Sequence, residues 1–228
     1  IYHSAGNCLI ETASTLLIAG CKTSVIPDDG SVTVIGTSAF ASQTGLTSIT
    51  IPASVTEIGP YAFYHCTGLT TLEIQQGMTM IGACAFYECE NLTSVKIPSG
   101  VTTIRHMAFY GCTELTSAEI PASVVGFGDR VFMNCPNLTI YGYAGTGAES
   151  YAAENNIPFR LIAIPGDLDG DGVVTDSDVL YLLKHTFRPE KYPINQPCDY
   201  DGDGNVTDAD AQYLLKHTFR PDKYPLTK

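Results

Sequence analysis

Aspartate and glycine recur at the same spacing in two stretches of the last third of the sequence. Residues 167–178 read DLDGDGVVTDSD, and residues 199–210 read DYDGDGNVTDAD. Carboxylate oxygens at alternate positions, followed by a glycine that permits a sharp turn, are suited to wrapping a hard divalent cation. Because the pattern occurs twice in register, it predicts two cation sites in preference to a merely acidic, turn-rich surface.

The spacing is that of an EF-hand calcium loop, with side-chain oxygens at loop positions 1, 3, 5 and 12 and a backbone carbonyl at position 7. The first calcium ion is predicted to bind Asp167, Asp169, Asp171, Val173 and Asp178. The second calcium ion is predicted to bind Asp199, Asp201, Asp203, Asn205 and Asp210. Position 12 is Asp where the usual loop has Glu, so its bidentate contact must come from a shorter side chain.

The segments before and after each loop differ in helical character. The stretches RLIAIPG and YPINQPC precede the loops, and their Pro and Gly content argues against an entering helix. The stretches TDSDVLYLLKHTF and TDADAQYLLKHTF begin inside the loops, with Thr three residues ahead of Asp as in a capping box, and stop at Arg before Pro. Each loop is therefore expected to lead into one helix.

Two loop–helix units without entering helices resemble a dockerin, the module that binds cohesin modules in cellulosomes. The resemblance covers residues 165–228, where YLLKHTFRP and KYP are also duplicated. It implies a calcium-dependent interaction with the cohesin module of a scaffoldin. Zinc at His185 and His217 is the weaker alternative, because one His per helix without nearby Cys lacks the usual ligand set.

In dockerins, loop positions 10 and 11 and one helical face contact the cohesin, and both halves of this tail have matching residues. The first half contributes Asp176, Ser177, Leu180, Leu183, Lys184, Phe187 and Arg188. The second half contributes Asp208, Ala209, Leu215, Lys216, Phe219 and Arg220. Their near-identity predicts docking in two orientations related by a half-turn, with one favoured because Gln212 replaces Leu180. The competing interpretation is that these basic residues form a solvated helix face.

The first part of the chain repeats with a period of 23 residues. One copy, VTEIGPYAFYHCTGLTTLEIQQG, begins at Val55, and another, VTTIRHMAFYGCTELTSAEIPAS, begins at Val101. A single copy cannot bury its own apolar positions, so neighbouring copies must stack and share a core. The pattern resembles BspA-like, or Treponema-type, leucine-rich repeats over about residues 1–164, and this resemblance implies a surface or secreted binding module.

The expected fold class is α+β, with a leucine-rich repeat β-solenoid with caps and a small all-α dockerin of two calcium loop–helix units. Its expected parts are an amino-terminal cap at residues 1–31, 23-residue repeats at 32–144, a carboxy-terminal cap at 145–164 and the dockerin at 165–228. The amino-terminal cap is predicted to be a hairpin. The carboxy-terminal cap is predicted to be a short helix followed by a closing strand.

Each coil is predicted to contain one strand, exemplified by LTSITI, in which Ile49 and Ile51 point inward. The glycine that ends the stretch VTxIG of each copy is expected to form a tight corner with positive φ. The residues concerned are Gly36, Gly59 and Gly82. The cysteines that recur every 23 residues are predicted to be buried free thiols; they are Cys66, Cys89, Cys112 and Cys135. Cys8 and Cys21 are the one pair considered for a disulfide.

Two surface columns follow from the repeat. Thr50, Glu73, Lys96 and Glu119 are expected to form a ladder along one sheet face, where cross-strand pairing is favoured over a ligand site. Tyr64, Tyr87 and Tyr110 form a second column, for which packing at a corner is favoured over stacking on sugar rings. The ligand of the solenoid stays unassigned.

Charge and motif content exclude several classes of function. The formal net charge is −12, which argues against nucleic acid as a partner. No apolar run approaches the ~18 residues of a membrane span, so no membrane insertion is expected. No G-x-S-x-G, H-E-x-x-H or phosphate-loop motif is present, and the chain is therefore expected not to be an enzyme.

These observations favour a non-catalytic, secreted modular protein, extracellular and associated with a cellulosome or a cell surface. Its dockerin, loaded with two calcium ions, would tether a leucine-rich repeat module to a scaffoldin in a complex for polysaccharide degradation. Two alternatives stay open. The first is that the chain is the carboxy-terminal part of a secreted peptidase or glycosidase. The second is that it is a cell-surface adhesion protein.

Overall fold

The computed structural model describes residues 1–162, 166–168, 174–191, 193–194, 198–202, 205–220, 223 and 226. The chain divides into two compact units. The first contains Ile1–Gly142 and Thr146–Arg160, and the second contains Tyr143–Gly145 and Leu161–Lys228. The predicted boundary between residues 164 and 165 lies outside the described residues.

The first unit is a β-solenoid, because apolar positions that recur every 23 residues align when successive coils stack in parallel. Its strands are β1 (Tyr2–Ala5), β2 (Cys8–Glu11), β3 (Leu16–Ala19), β4 (Val34–Ile35), β5 (Ser48–Ile51), β6 (Glu57–Ile58), β7 (Thr71–Ile74), β8 (Met80–Ile81), β9 (Ser94–Lys96), β10 (Thr103–Ile104), β11 (Ser117–Glu119), β12 (Gly126–Phe127), β13 (Thr139–Gly142) and β14 (Phe159–Leu161). One helix, α1 (Gly147–Glu154), lies between β13 and β14.

The strands form three sheets. The largest has the order β1-β2-β3-β4-β6-β8-β10-β12, a second has the order β14-β13-β11-β9, and β5 pairs with β7 in a third. Register between parallel strands follows the repeat, as in the pairing of Ile49 with Leu72. The expected fold class is confirmed. The prediction of one strand per coil is wrong, because each coil contributes one strand to the largest sheet and a second strand to one of the other two. The amino-terminal cap contains the predicted hairpin with a third antiparallel strand, and α1 and β14 follow the last coil.

The interior of the solenoid contains a column of stacked phenylalanine rings. Each ring comes from the same position of successive coils, and neighbouring centroids are 4.8 to 5.3 Å apart. The column consists of Phe40, Phe63, Phe86, Phe109 and Phe132. Strand alternation adds inward side chains: Ile49 and Ile51 are buried as predicted, whereas Ser48 and Thr50 are exposed.

The prediction of positive φ at Gly36, Gly59 and Gly82 is wrong. These glycines lie where one coil approaches the next, and a Cβ on Gly82 would come within 2.4 Å of the Ile58 carbonyl oxygen. Arg105 occupies the same place in the following coil, and its N–H still donates to the preceding coil, at 3.0 Å from the Ile81 oxygen. The position therefore favours glycine for close packing but accepts a side chain after a small shift.

The repeated cysteines are free thiols, as predicted, and form a second column; Cys66, Cys89 and Cys112 are buried, whereas Cys135 is only partly buried. Each Sγ donates to the carbonyl oxygen of the phenylalanine 26 residues earlier, as in Cys66 to Phe40 at 3.0 Å and Cys89 to Phe63 at 3.2 Å. Burial raises the pKa of the Cys66 thiol to about 11. Cys8 and Cys21 are also free thiols.

Thiol labelling of the folded protein should therefore be selective. The thiolate is the reactive form, so at pH 8 a thiol with a pKa of about 11 reacts about a thousandfold more slowly than its thiolate. The pKa of Cys21 is instead lowered by a hydrogen bond with Thr23. Mass spectrometry after brief iodoacetamide treatment should find Cys21 labelled well ahead of Cys66 and Cys89. Labelling of the buried column at the rate of Cys21 in the folded protein would contradict this packing.

The described residues of the second unit include two helices, α2 (Asp176–Phe187) and α3 (Asp208–Phe219). Their apolar faces meet in a small core, because buried side chains recur at helical spacing in both copies of the duplicated sequence. The buried apolar residues are Leu168, Val179, Leu182, Cys198, Ala211, Leu214 and Leu226. Val179 and Leu182 lie inward as the sequence predicts.

Candidate calcium loops and helical docking face

The second loop gathers carboxylates immediately before and at the start of α3. Oxygens of Asp199, Asp201 and Asp210 all lie within 4.8 Å of one another. Calcium binds oxygens at about 2.3–2.6 Å, so two ligands of one ion lie at most about 5 Å apart. The carboxylates of Asp199, Asp201 and Asp210 therefore fit a calcium ion and would be among its ligands. Residues 203–204 of the same loop lie outside the described residues.

Asp210 is held in place by the backbone of its own loop. The side chain is fully buried. Its Oδ1 accepts hydrogen bonds from the N–H groups of Tyr200 at 2.6 Å and Asp201 at 3.2 Å, and its Oδ2 accepts one from Thr207 at 2.8 Å. These three donors fix the orientation of the carboxylate, whose oxygens are the kind of ligand that calcium prefers.

The first loop repeats this arrangement where it is described. Asp178 is fully buried, and its two oxygens accept from the N–H groups of Leu168 at 2.6 Å and Thr175 at 2.8 Å. Asp167 is also buried. The remaining predicted ligands of this loop, Asp169, Asp171 and Val173, lie outside the described residues, as does Asp203 of the second loop; Asn205 is described and exposed.

Capping boxes join each loop to its helix, as predicted. The side chain of Thr175 accepts from the N–H of Ser177, and Thr207 accepts from Ala209 in the same way, both at 3.2 Å. The aspartate three positions later accepts a hydrogen bond from the backbone N–H of the same threonine. The last carboxylate of each loop, a candidate calcium ligand, thus also fixes the start of a helix.

The backbone donors at Leu168 and Tyr200 are functional groups that the sequence analysis did not identify. Every residue except proline carries an N–H group, so residue type gives no signal for them. Each directly follows the first aspartate of its loop, and its N–H donates to the buried aspartate at the end of that loop. The duplication of the loops at a distance of 32 residues is the one feature that predicts an equivalent pair.

The predicted partner face is largely exposed at the ends of both helices. Phe187 and Phe219 expose 80% and 78% of their surface, an unusual fraction for phenylalanine. Lys184, Arg188, Lys216 and Arg220 are exposed beside them. Leu215, Lys216, Phe219 and Arg220 line a shallow cleft of about 290 Å³. Asp176, Ser177, Leu180, Asp208 and Ala209 are exposed at the beginnings of the helices.

The two halves of this face are not identical. Leu183 is half-buried against the small core, whereas its counterpart Leu215 is exposed. Leu180 is an exposed apolar side chain where the other helix carries Gln212. The second helix therefore offers a leucine at the centre of its face, and the first offers one nearer its amino terminus.

In both surface columns of the solenoid, the side chains contact equivalent side chains of the neighbouring coil. Lys96 Nζ lies 2.7 Å from Glu119 Oε2, and Thr50 donates to Glu73 at 3.2 Å, so the ladder pairs across strands as expected. In the tyrosine column, ring centroids of Tyr87 and Tyr110 are 4.7 Å apart and the rings are nearly parallel. The tyrosine faces therefore pack on one another.

Comparison with protein families agrees with this geometry. Six copies of the BspA type leucine rich repeat region match residues 19–139. The chain belongs to this family. Residues 165–218 match the dockerin type I domain. Neither kind of domain is catalytic, and dockerin type I domains as a class bind calcium and imply a cohesin partner.

Several solved structures are similar to this BspA type leucine-rich repeat protein. A leucine rich cell surface protein from Faecalibacterium prausnitzii is 33% identical with a TM-score of 0.59, over 66% of this chain and 41% of that one. The T. pallidum leucine rich repeat protein is 27% identical with a TM-score of 0.52, over 62% and 67%. Pneumococcal vaccine antigen PcpA is 13% identical with a TM-score of 0.56, over 72% and 48%, and shows the fold alone. Comparison with curated proteins gives no match.

Proteins with dockerin and BspA type repeats are generally extracellular or associated with the cell surface. The described residues include no helix with the length and apolar character to cross a membrane. This BspA type leucine-rich repeat protein spans less than half of its F. prausnitzii relative.

Proposed function

We propose that this protein is a secreted, non-catalytic tether. Its dockerin unit binds the cohesin module of a scaffoldin, and its leucine-rich repeat unit is carried into a cellulosome-type complex that degrades polysaccharide. The observation that carries the proposal is the duplicated pairing of a buried aspartate, which caps a helix, with exposed Phe and basic residues at the far end of the same helix.

The unit binds two calcium ions in this proposal. Asp167, Asp169, Asp171, Val173 and Asp178 hold the first. Asp199, Asp201, Asp203, Asn205 and Asp210 hold the second. The supporting observation is the closeness of the three described carboxylates of the second loop, together with the equivalent backbone bonds to Asp178 and Asp210.

The duplicated face binds cohesin in two orientations related by a half-turn. Exposed phenylalanines supply apolar area at the centre of each interface, and the neighbouring Lys and Arg side chains supply charge-assisted hydrogen bonds. Leu180 adds exposed apolar area to the first half of the face and Leu215 adds it at a different place in the second half, so the two orientations differ in affinity.

Substitutions in one helix and in both helices test this proposal against a panel of cohesins. The variants are K184A/R188A, K216A/R220A and the quadruple variant, with K96A/R160A in the first unit as the charge-matched control. Either double variant should lose about twofold to tenfold in affinity, because one orientation survives, and the quadruple variant should lose about 100-fold or more. Complete loss in one double variant alone would contradict the two orientations, and full binding by the quadruple variant would contradict the face.

A cell-surface role is the second candidate. The F. prausnitzii relative is described as a leucine rich cell surface protein, and its likeness covers the repeat unit. In this case the dockerin anchors the chain while the solenoid holds another cell or its polysaccharide. Binding of the protein to cells that lack cohesin would favour adhesion, and binding only to cohesin-bearing scaffolds would favour the cellulosomal tether.

A further inference from the structure

The last coil of the solenoid carries backbone donors that have no further coil to bind. In each earlier coil, the N–H groups of three corner residues donate to carbonyl oxygens of the next coil, as in Tyr61 to Ala83 at 3.0 Å. The equivalent residues of the last coil are Arg130, Phe132 and Asn134. Because these residues keep the register of the repeat, their N–H groups point past the carboxy-terminal end of the stack.

The carboxy-terminal cap supplies an acceptor for the middle donor alone. Tyr151 of α1 is buried, and its hydroxyl oxygen accepts from the N–H of Phe132 at 3.3 Å. Within the described part of the first unit, the N–H groups of Arg130 and Asn134 have no acceptor. Both residues have positive φ, 56° and 63°, as their counterparts in earlier coils do. Two free donors therefore flank the tyrosine oxygen at the open end of the stack.

A cleft of about 550 Å³ lies at this end of the first unit. Its charged and amide side chains are those of Arg130, Asn134, Asn155 and Asn156, all of them exposed. Among the residues that the structure describes, no acidic side chain lines this cleft, and the Arg130 guanidinium makes no ion pair. Met133 in the same lining is exposed over 47% of its surface. The cleft thus offers a cation, amide groups and accessible apolar surface.

An unpaired cation in a cleft without acidic residues favours an anionic ligand. The planar guanidinium of arginine matches a carboxylate, to which it makes two parallel hydrogen bonds. Asp129 and Glu154 line a second cleft that shares Arg130. A dianion such as phosphate would bring a second negative charge towards these two carboxylates, so a singly charged carboxylate is the better match.

The asparagines of the cleft favour a ligand with hydroxyl groups. Asn134 Nδ2 donates to the Tyr110 hydroxyl at 2.8 Å, and Asn155 Nδ2 donates to the Tyr151 carbonyl oxygen at 2.9 Å. Their Oδ1 atoms remain as acceptors, and the backbone N–H of Asn134 remains as a donor. Hydroxyl groups use both kinds of partner, and the exposed Met133 side chain suits the C–H face of a sugar ring.

We propose that this cleft binds a uronic acid, a sugar whose single charge is a carboxylate. Arg130 binds the carboxylate, while the free N–H groups of the corner and the asparagine amides bind the other ligand oxygens. Met133 lies against the ring. The proposal assigns the solenoid ligand that the proposed function leaves open, and it does not depend on cohesin binding.

An NMR titration of the full chain with calcium present tests the proposal. The probe is methyl β-D-glucuronide, and the matched neutral sugar is methyl β-D-glucoside, which has a hydroxymethyl group in place of the carboxylate. Saturating glucuronide should shift the backbone amide signals of Arg130 and Asn134 and leave that of His65, whose N–H is bound to Tyr87 at 2.8 Å. The affinity for glucuronide should exceed the affinities for glucoside and for acetate by about tenfold or more, because only the charged sugar meets both the arginine and the amides.

Two arginine variants provide the matched comparison. R130Q should lower the affinity for glucuronide by about tenfold or more, whereas R105Q, at an exposed arginine of the preceding coil, should leave it within about twofold. Equal affinity for glucuronide and glucoside, or undiminished binding by R130Q, would overturn the proposal. Acetate that binds as tightly as glucuronide would also overturn it, since the site would then recognise a carboxylate without the sugar. Cohesin affinity measured on the same samples keeps the proposals apart, because intact cohesin binding without glucuronide binding overturns this one alone.

Discussion

Replacing Asp210 with alanine should unfold the second unit while leaving the solenoid intact. The substitution leaves three backbone N–H groups without their acceptor and removes a carboxylate from the candidate calcium site. The three bonds are part-buried, and a buried donor left unpaired costs about 1–3 kcal/mol, so their joint loss is large for a small unit with few buried side chains. Calcium titration calorimetry should find reduced cation binding, and circular dichroism should find the helical signal reduced.

Asp208 provides the matched control for this experiment. It lies two residues earlier in the first turn of the same helix and is exposed. Its replacement by alanine removes only a favourable interaction with the helix dipole, worth about 0.3–1 kcal/mol. D208A should therefore retain calcium binding and helix content. If D210A kept both as well, the buried carboxylate would have no part in folding the unit.

Replacing Phe86 with alanine should have the largest effect on the solenoid. The ring is fully buried, with centroids of Phe63 and Phe109 each 5.1 Å away on its two sides. Truncating a buried phenylalanine costs about 3–5 kcal/mol, including the cavity that remains. Because each coil is stabilised by its immediate neighbours, the cavity interrupts the core between the second and fourth coils. Urea denaturation should locate this loss in the transition of the first unit.

Val125 supplies the control within the same unit. This side chain is 78% exposed, so V125A removes an apolar group without opening a cavity. Its effect on the free energy of unfolding should stay within about 0.5 kcal/mol. Equal destabilisation by V125A and F86A would contradict the stacked column as the main source of solenoid stability.

Much of the fold could be predicted because its determinants repeat. The 23-residue period fixed which positions align, and strand alternation then assigned Ile49 to the interior and Thr50 to the surface. The helices of the second unit were equally predictable, because Thr and Asp at capping-box spacing mark their beginnings and Arg before Pro marks their ends.

The corners of the coils were less predictable. Tyr61 and His65 have φ of 58° and 56°, in the left-handed region where glycine is the usual choice. Hydrogen bonds to the next coil hold them there, from Tyr61 N–H to Ala83 at 3.0 Å and from His65 N–H to Tyr87 at 2.8 Å. These bonds join residues 22 positions apart, so local sequence favours no such conformation. The same dependence on stacking explains the two-residue strands, such as β4, which lack any periodicity of their own.

The candidate site also has features that the sequence predicts and features that it does not. Residue type and spacing identified the carboxylates, since oxygen ligands must be side chains of particular kinds. Burial of Leu183 against exposure of Leu215 could not be anticipated, because the two leucines have identical immediate neighbours in sequence. Their difference comes from the surrounding core, where residues of the two halves no longer match.

The affinity of the full chain for a cohesin, measured in calcium, after chelation and after calcium is restored, tests the central claim most directly. In the proposed function, two cations held by the duplicated carboxylates order the helices that carry Phe187 and Phe219. The affinity should therefore fall by about 100-fold or more on chelation and return when calcium is added back. Undiminished binding after complete removal of calcium would contradict the account.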